Sequence, residues 1–362
     1  MLLFWIFVGP AVLLGVLALR GERARAEYVA ARMTALLESP ARPLPPVTLI
    51  VPVFSGNPPE APGLADALRS LAAQDHPDFE LIVVVRDADS APGSSLPSVV
   101  KVALAGDGLS LRQAGVRSAR RRSEVLAFAD ASGTVSPYWL RALVAPLSEP
   151  GVGASTGFRW YVPDPPSFWS LMQSVWNGLI AGRLGPGPAD FAWAGAMAIT
   201  RTVFTESCVN ESWGGVDPED LALTSAVQES GKRIAYAPGA MVACPAGEFF
   251  RNARREMAQA RRYLPRLWWT TLAAHTIYCG AMVAAIIAIA QGSRGAEWAL
   301  VVQFGLGMLK GVNRATLAKA QLLEHKTWFD RYSWTHTFWT PAATWVWLCV
   351  LIASLFTRPR VV

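Results

Sequence analysis

Charge is what this sequence has least of. Asp, Glu, Lys and Arg together make up 17% of its 362 residues, where an ordinary soluble domain carries about 25%. Hydrophobic residues supply 52%, so the length reads as one sizeable soluble domain plus membrane segments rather than two soluble domains. Cysteine is scarce as well. The four thiols show no Cys-x-x-Cys and no Cys/His spacing, which excludes a disulfide framework and a zinc site of the usual spacing. All four read as packing residues.

The missing charge is missing from particular places. Met1 to Leu19 has none, and "RGERAR" follows at once. No basic segment precedes this run and no small-residue cleavage site follows it, so it reads as an anchor rather than a signal peptide. Leu267 to Ser293 and Tyr332 to Thr357 are uncharged runs of 27 and 26 residues, against about 20 needed to cross a bilayer. The second is rich in Trp, as interfacial belts are. A fourth run, Trp298 to Leu309, stops after 12 residues at Lys310. It spans only if Lys310 and Arg314 snorkel or face other helices.

The net charge of +6 does not point to nucleic acid, because Arg20, Arg23, Arg25, Arg261, Arg262, Arg266, Lys310, Arg314 and Lys319 all lie beside apolar segments. By the positive-inside rule, Arg20 to Arg266 is cytoplasmic. Four spans would then put Arg358 and Arg360 outside, against the same rule. The resulting division is an N-terminal anchor (1–20), a linker (21–44), a cytoplasmic domain with interfacial segments (45–265) and a membrane domain of two or three helices (266–362).

Within the cytoplasmic region, short apolar runs alternate with amphipathic ones. "PPVTLIVPVF", "FELIVVV", "SVVKVAL" and "EVLAFADAS" read as strands, and "GLADALRSLAAQ" and "SLRQAGVRSARR" as helices. Such alternation implies a parallel sheet with helices on both faces, and ligands bind beyond the carboxyl ends of its strands. Two strands run into aspartates there: Val85 leads to Asp87 and Asp89, and Phe128 to Asp130. One such Asp is an ordinary turn or cap residue. Two at one sheet edge repel each other unless a cation or proton compensates. Mg²⁺ takes one or two carboxylates plus substrate phosphates, so the pattern predicts a metal–nucleotide site.

A third acidic group lies in "WGGVDPEDLALTSAVQESGKRIAYAP", where Asp217 and Pro218 fit a helix start with Glu219 and Asp220 in its first turn. These acids complement the helix dipole, or Asp220 is a general base at the mouth of the site. Elsewhere "FRWYVPDPPSFWSLMQSVWNGLI" is aromatic-rich, as core packing or as an interfacial segment. Trp193 either shapes an acceptor mouth or packs in the core. His275 lies in an uncharged run, where an ionisable residue is a functional suspect and a neutral histidine bonded to a neighbouring helix is the simpler reading.

In order along the chain, "VTLIVPVF", "LRSLAAQDHPDFELIVVV", "FADAS", "WAGAMAITR", "GGVDPEDLALTSAVQESGKRIAYAPGA" and "QARRY" resemble the family 2 glycosyltransferases. The layout is similar to their ceramide glucosyltransferase branch. The resemblance covers roughly Pro45 to Tyr263. It implies an α/β GT-A fold, with a mixed, mostly parallel sheet and transmembrane helices at both ends, that moves a sugar with inversion from a UDP-sugar to a membrane lipid. Glucose and a ceramide-like acceptor are the pair it implies, in an integral membrane protein of a bacterial inner membrane.

Residue by residue, the resemblance puts the base on Asp220, the metal-associated carboxylate on Asp130 and a nucleotide-side aspartate on Asp87. It puts Gln-x-x-Arg-Trp on Gln259, Arg262 and Tyr263. Donor contacts extend to Pro52, Asp89, Glu219, Arg261 and Arg112, though Arg112 and Arg117 also read as solvated helix charges. Trp160 and Trp193 are the acceptor candidates. The chain departs from the family at Ser132, where a second carboxylate is common, and at Tyr263, where Trp is usual. Mg²⁺ or Mn²⁺ is the implied cofactor. A processive polysaccharide synthase shares the Gln-x-x-Arg-Trp motif, but three or four membrane helices are few for a translocation pore. An inactive scaffold would have no reason to retain Asp87, Asp130, Asp220, Gln259 and Arg262 together.

Overall fold

The computed structural model of the chain describes residues 2–38, 44–54, 63–88, 91–92, 99–214 and 218–358. The order is α1 (Leu2–Glu38), β1 (Val47–Pro52), α2 (Leu64–Ala72), β2 (Phe79–Val85), β3 (Val100–Leu104), α3 (Leu111–Ser118), β4 (Val125–Ala129) and β5 (Thr134–Val135). Then come α4 (Trp139–Val144), β6 (Val152–Tyr161), α5 (Phe168–Ala181), β7 (Ala196–Thr200), α6 (Arg201–Glu206), α7 (Val209–Ser212), α8 (Glu219–Glu229) and β8 (Arg233–Cys244). The chain closes with α9 (Phe249–Tyr263), α10 (Pro265–Ala290), α11 (Ala296–Gln321) and α12 (Lys326–Leu355).

The eight strands form one sheet in the order β3-β2-β1-β4-β7-β6-β8-β5. The apolar runs of β1 and β4 are buried at every residue because helices cover both faces of a central parallel strand. β1, β2, β3 and β4 pair in parallel, and β6 pairs in parallel with β8. β7 enters between β4 and β6 antiparallel to both, and β5 is antiparallel to β8. The sheet is therefore mixed where the alternating pattern alone predicted a parallel one. The carboxyl ends of β1, β2 and β4 still share one edge, and the acidic turns lie there. α3 begins with a capping box between Ser110 and Gln113, which aims its first turn at that edge.

Among the described residues, three helical segments are long and apolar enough to cross a membrane: Phe4–Glu38, Pro265–Ala290 and Leu323–Leu355. The first does not end at Arg20. It runs on as a helix through Glu38, so residues 21–38 are helical where a linker was expected. "ERARAEYVAARMTALLE" consists largely of strong helix formers, and Val29 and Met33 pack it against the core of the sheet domain. α11 also exceeds the 12-residue apolar run that announced it. Its 26 residues span about 39 Å.

α11 is admitted to the bundle by glycine. A Cβ on Gly311 would lie 1.9 Å from the carbonyl oxygen of His336, and one on Gly307 would lie 2.9 Å from Pro341. The two glycines sit four residues apart on one face, the small-residue spacing that lets helix backbones approach closely. Of the four cysteines, Cys244 and Cys279 are buried, whereas Cys208 and Cys349 are exposed. Only the first pair are packing residues.

Candidate active site

β4 ends at Ala129 and the next residue, Asp130, stands at the sheet edge. Across from it, on the first turn of α3, the Arg112 guanidinium donates through Nη2 to Asp130 Oδ1 at 3.1 Å and through Nη1 to Glu219 Oε2 at 2.8 Å. Its side chain is 8% exposed. Arg112 is thus neither a solvated helix charge nor among the residues lining the cavity described below; it is the counter-charge that lets Asp130 and Glu219 sit together. Burial works against its charge, but the two carboxylates outweigh burial and hold its pKa above the ordinary value. Arg117, one turn on, is exposed.

Asp220 is held from two directions. Its Oδ1 accepts from the Leu221 backbone N–H at 2.9 Å and its Oδ2 from the Ala194 N–H at 3.0 Å. The loop before β7 is clipped to α8 a second time, because Ala192 N–H donates to Thr224 Oγ1 at 2.9 Å. The motif "WAGAM" and the motif "DPEDLALT" are therefore one substructure. Burial pushes the Asp220 carboxyl up to about 6, helped by nearby Asp130 and opposed by Arg112 and the two N–H donors. A carboxyl poised there is ionised near neutral pH yet basic enough to take a proton.

Asp220 and Asp130 open into one cavity of about 760 Å³ that continues between α1, α10, α11 and α12. Trp193 and Gln259 line it too. The Trp193 indole turns back over Gly195, where a Cβ would lie 2.3 Å from the ring, so the glycine is what allows the ring its place. Gln259 is buried, and its Nε2 has no partner among the described residues. An unsatisfied donor in a cavity wall marks a place for a ligand oxygen.

Of the other expected site residues and suspects, only His275 also lines the cavity. Pro52 closes β1, buried opposite Val84. Asp87 lies two residues past β2 and is exposed, and Asp89 falls outside the described residues. Trp160 is fully buried, its ring stacked 5.2 Å from His336 and packed on Phe329, which makes it core rather than cavity wall. Arg261 donates to the Leu355 carbonyl at 2.9 Å, and Arg262 is exposed with its guanidinium over the Tyr263 ring. The Gln-x-x-Arg-Tyr motif thus splits on α9: Gln259 faces in, and Arg262 and Tyr263 do not. His275 bonds within its own helix, Nδ1 to the Thr271 carbonyl oxygen at 2.8 Å, and stacks on Trp347 rather than bonding a neighbouring helix.

Among the wall residues that were not anticipated, Arg159 and Glu256 form a pair. Arg159, on buried β6, contacts both Oε atoms of Glu256 at 2.7 Å and lies 5.7 Å from the Trp193 ring centroid. Burial opposes its charge and Glu256 overcomes this, so its pKa stands well above the ordinary arginine value. The signal was present in the sequence: one charged residue inside a ten-residue strand otherwise free of charge. Its partner was not legible, being 97 residues away on another element.

Among the described residues, no three His, Cys, Asp or Glu side chains gather as a metal cage. Asp130 offers a single carboxylate, 29% exposed and facing the cavity. That donor set fits an ion whose remaining ligands are waters and substrate phosphates. It does not fit a cage made wholly of protein.

The sequence matches the family model described as "Glycosyltransferase like family 2" over residues 45–276, more than half of the chain. Among curated proteins none matches. The solved structures to which this chain is similar include two glycosyltransferases. The mannosyltransferase PcManGT from Pyrobaculum calidifontis, in complex with GDP-Man and Mn²⁺, is 17% identical with a TM-score of 0.47, over 94% of this chain and 99% of that one. GalNAc-T7 with UDP, GalNAc and Mn²⁺ is 15% identical with a TM-score of 0.42, over 57% of this chain and 44% of that one. The family match over the whole sheet domain is what decides: this chain belongs to the family 2 glycosyltransferases and carries their GT-A fold.

Proposed function

We propose that this glycosyltransferase moves one sugar, with inversion, from a UDP-sugar to a hydroxyl group of a membrane lipid at the cytoplasmic face. The observation that supports it is the single cavity running from Asp130 and Asp220 into the space between the long apolar helices. A donor at the sheet edge and a hydroxyl rising from among the helices would meet at Asp220. Glucose and a ceramide-like lipid are the pair the sequence resemblance implies. What supports a lipid acceptor is the run of the cavity between the apolar helices.

In this reading Asp220 accepts the proton of the acceptor hydroxyl as its oxygen bonds to the anomeric carbon. The bond from that carbon to the diphosphate oxygen breaks on the opposite side, and the electron pair leaves with UDP. The two N–H groups on Asp220 fix the carboxylate without neutralising it. Gln259 Nε2 has a free donor for a sugar or phosphate oxygen, and Trp193 supplies an apolar wall for the acceptor. Arg112 holds Asp130 and Glu219 at the donor end. Asp130 would hold a divalent cation, which when bound supplies positive charge against the leaving diphosphate.

The test uses the purified full-length protein with UDP-sugars and candidate lipids. UDP release together with a lipid extended by one sugar, seen by mass spectrometry, is the expected result. A ladder of products would replace this reading with a polysaccharide synthase. Nucleotide binding with no transfer to any lipid would leave a scaffold.

A further inference from the structure

The helix end of the cavity is more polar and more cationic than a neutral lipid requires. Lys310 and Arg314 of α11 both line it, one turn apart, together with His275 and Tyr278 of α10 and Thr340 and Thr344 of α12. Arg314 has a partner outside the lining: its Nε donates to Glu22 Oε1 of α1 at 2.5 Å. The fold makes room for it, since a Cβ on Gly182 would lie 2.8 Å from that same Nε. Lys310 has no carboxylate within 4 Å among the described residues; its ammonium rests 5.7 Å from the Tyr278 ring centroid. The carboxylates in the cavity wall are Asp130, Asp220 and Glu256, all on the sheet-domain side.

One positive charge is therefore left over in a wall shared by four long helices. A cation there is expensive unless something offsets it. An apolar tail cannot, and neither can a simple hydroxyl. An anionic oxygen can, and a lysine ammonium beside the remaining N–H groups of an arginine is a suitable pair of donors for phosphate.

We infer that the acceptor lipid carries a phosphate group, held by Lys310 and Arg314, with its transferable hydroxyl set further along the cavity toward Asp220. This rests on the lipid-acceptor reading above and narrows it, departing from a ceramide-like acceptor, which has no anionic group. The phosphate belongs either to a glycerophospholipid or to a polyprenyl diphosphate-linked sugar.

The experiment is acceptor competition with the full chain in nanodiscs. Phosphatidylglycerol, a polyprenyl diphosphate-linked sugar, diacylglycerol and ceramide are supplied with a UDP-sugar, and the glycosylated lipid is identified. One of the two phosphate-bearing lipids is expected to be extended in preference, and which one tells the sources apart. Lys310→Met is expected to raise the acceptor KM about 10- to 100-fold, the loss of one charge-assisted hydrogen bond, with the donor KM within about twofold. Lys310→Arg is expected to restore most of it. Removing a lone charge from a helix bundle does not endanger folding, so the variant is interpretable. Transfer to diacylglycerol or ceramide alone, or an acceptor KM indifferent to Lys310→Met, would overturn the inference and leave the lipid-transferase reading standing. Transfer to no lipid would overturn both.

Discussion

The two ends of the cavity are built on opposite imbalances. At the sheet end three carboxylates, Asp130, Glu219 and Asp220, share one buried guanidinium, Arg112. At the helix end stand two cations, Lys310 and Arg314, and one carboxylate, Glu22, which pairs with Arg314. Each surplus has a chemical consequence. The surplus of negative charge and the burial around it lift the proton affinity of Asp220, which suits a base, and leave Asp130 open to a cation. The surplus of positive charge calls for an anion. A protein whose polar groups were all mutually satisfied would do neither, and stability has been conceded at both ends where ligands are expected.

The largest effect should come from the residue on which the sheet end converges. Asp220→Asn keeps the shape and removes the base, so turnover is expected to fall about 10²–10⁴-fold. UDP affinity, measured by calorimetry, should hold. A variant that turns over at the wild-type rate would strip the sheet end of its chemical role.

Next comes the counter-charge. Arg112→Met leaves three carboxylates without a partner, and breaking a buried pair in this way costs about 3–5 kcal/mol. Without the arginine, which holds the raised Asp220 carboxyl down, Asp220 should keep its proton more tightly, and protonation relieves the repulsion. The loss of melting temperature should therefore be larger at pH 7.5 than at pH 5.5. An equal loss at both values would mean that Arg112 acts by packing and not by charge.

At the helix end the comparable lever is steric. Gly311→Ala would drive a methyl group into the His336 carbonyl and force α11 away from α12, at about 1–3 kcal/mol. Gly305, on the same helix, has nothing within 4 Å of its missing Cβ. Gly305→Ala should be neutral or stabilising by up to about 1 kcal/mol. Equal melting temperatures for the two variants would mean that the helix end does not depend on that close approach.

The sheet end was more legible in the sequence than the helix end, for a physical reason. Strands β1, β2 and β4 announce themselves by local runs of β-branched and apolar residues, and an aspartate just past a strand end must lie at the sheet edge. Asp130 and Asp220 could be placed together from such cues plus the family resemblance. The antiparallel entry of β7 between β4 and β6 could not, since strand order depends on pairings between distant segments. The pairs Arg112–Glu219, Arg159–Glu256 and Glu22–Arg314 are separated by 107, 97 and 292 residues, and no local pattern records them. The helix end suffered most. Lys310 and Arg314 interrupt an apolar run, so by hydropathy they weaken the evidence for the helix that positions them.

The most gradual effect ties the two ends to pH. Asp220 has a folded-state pKa of about 6 against an ordinary value of 3.8. Activity needs the ionised form, so kcat/KM should rise with pH to a plateau, with its half-point near 6 and a slope of at most tenfold per pH unit below it. Stability should move in the other direction. Because the folded pKa is raised, the contribution of Asp220 is fully present below about pH 4 and is lost as pH climbs through 6, about 3 kcal/mol in all. The protein should be least helped by Asp220 where it is most active. Asp220→Asn should abolish both trends together, and Arg112→Met should carry the activity limb above 6, because the guanidinium is what restrains the shift. Lys310→Met should leave the limb in place. A limb that moved with Lys310 would mean the two ends share one electrostatic environment rather than two of opposite sign.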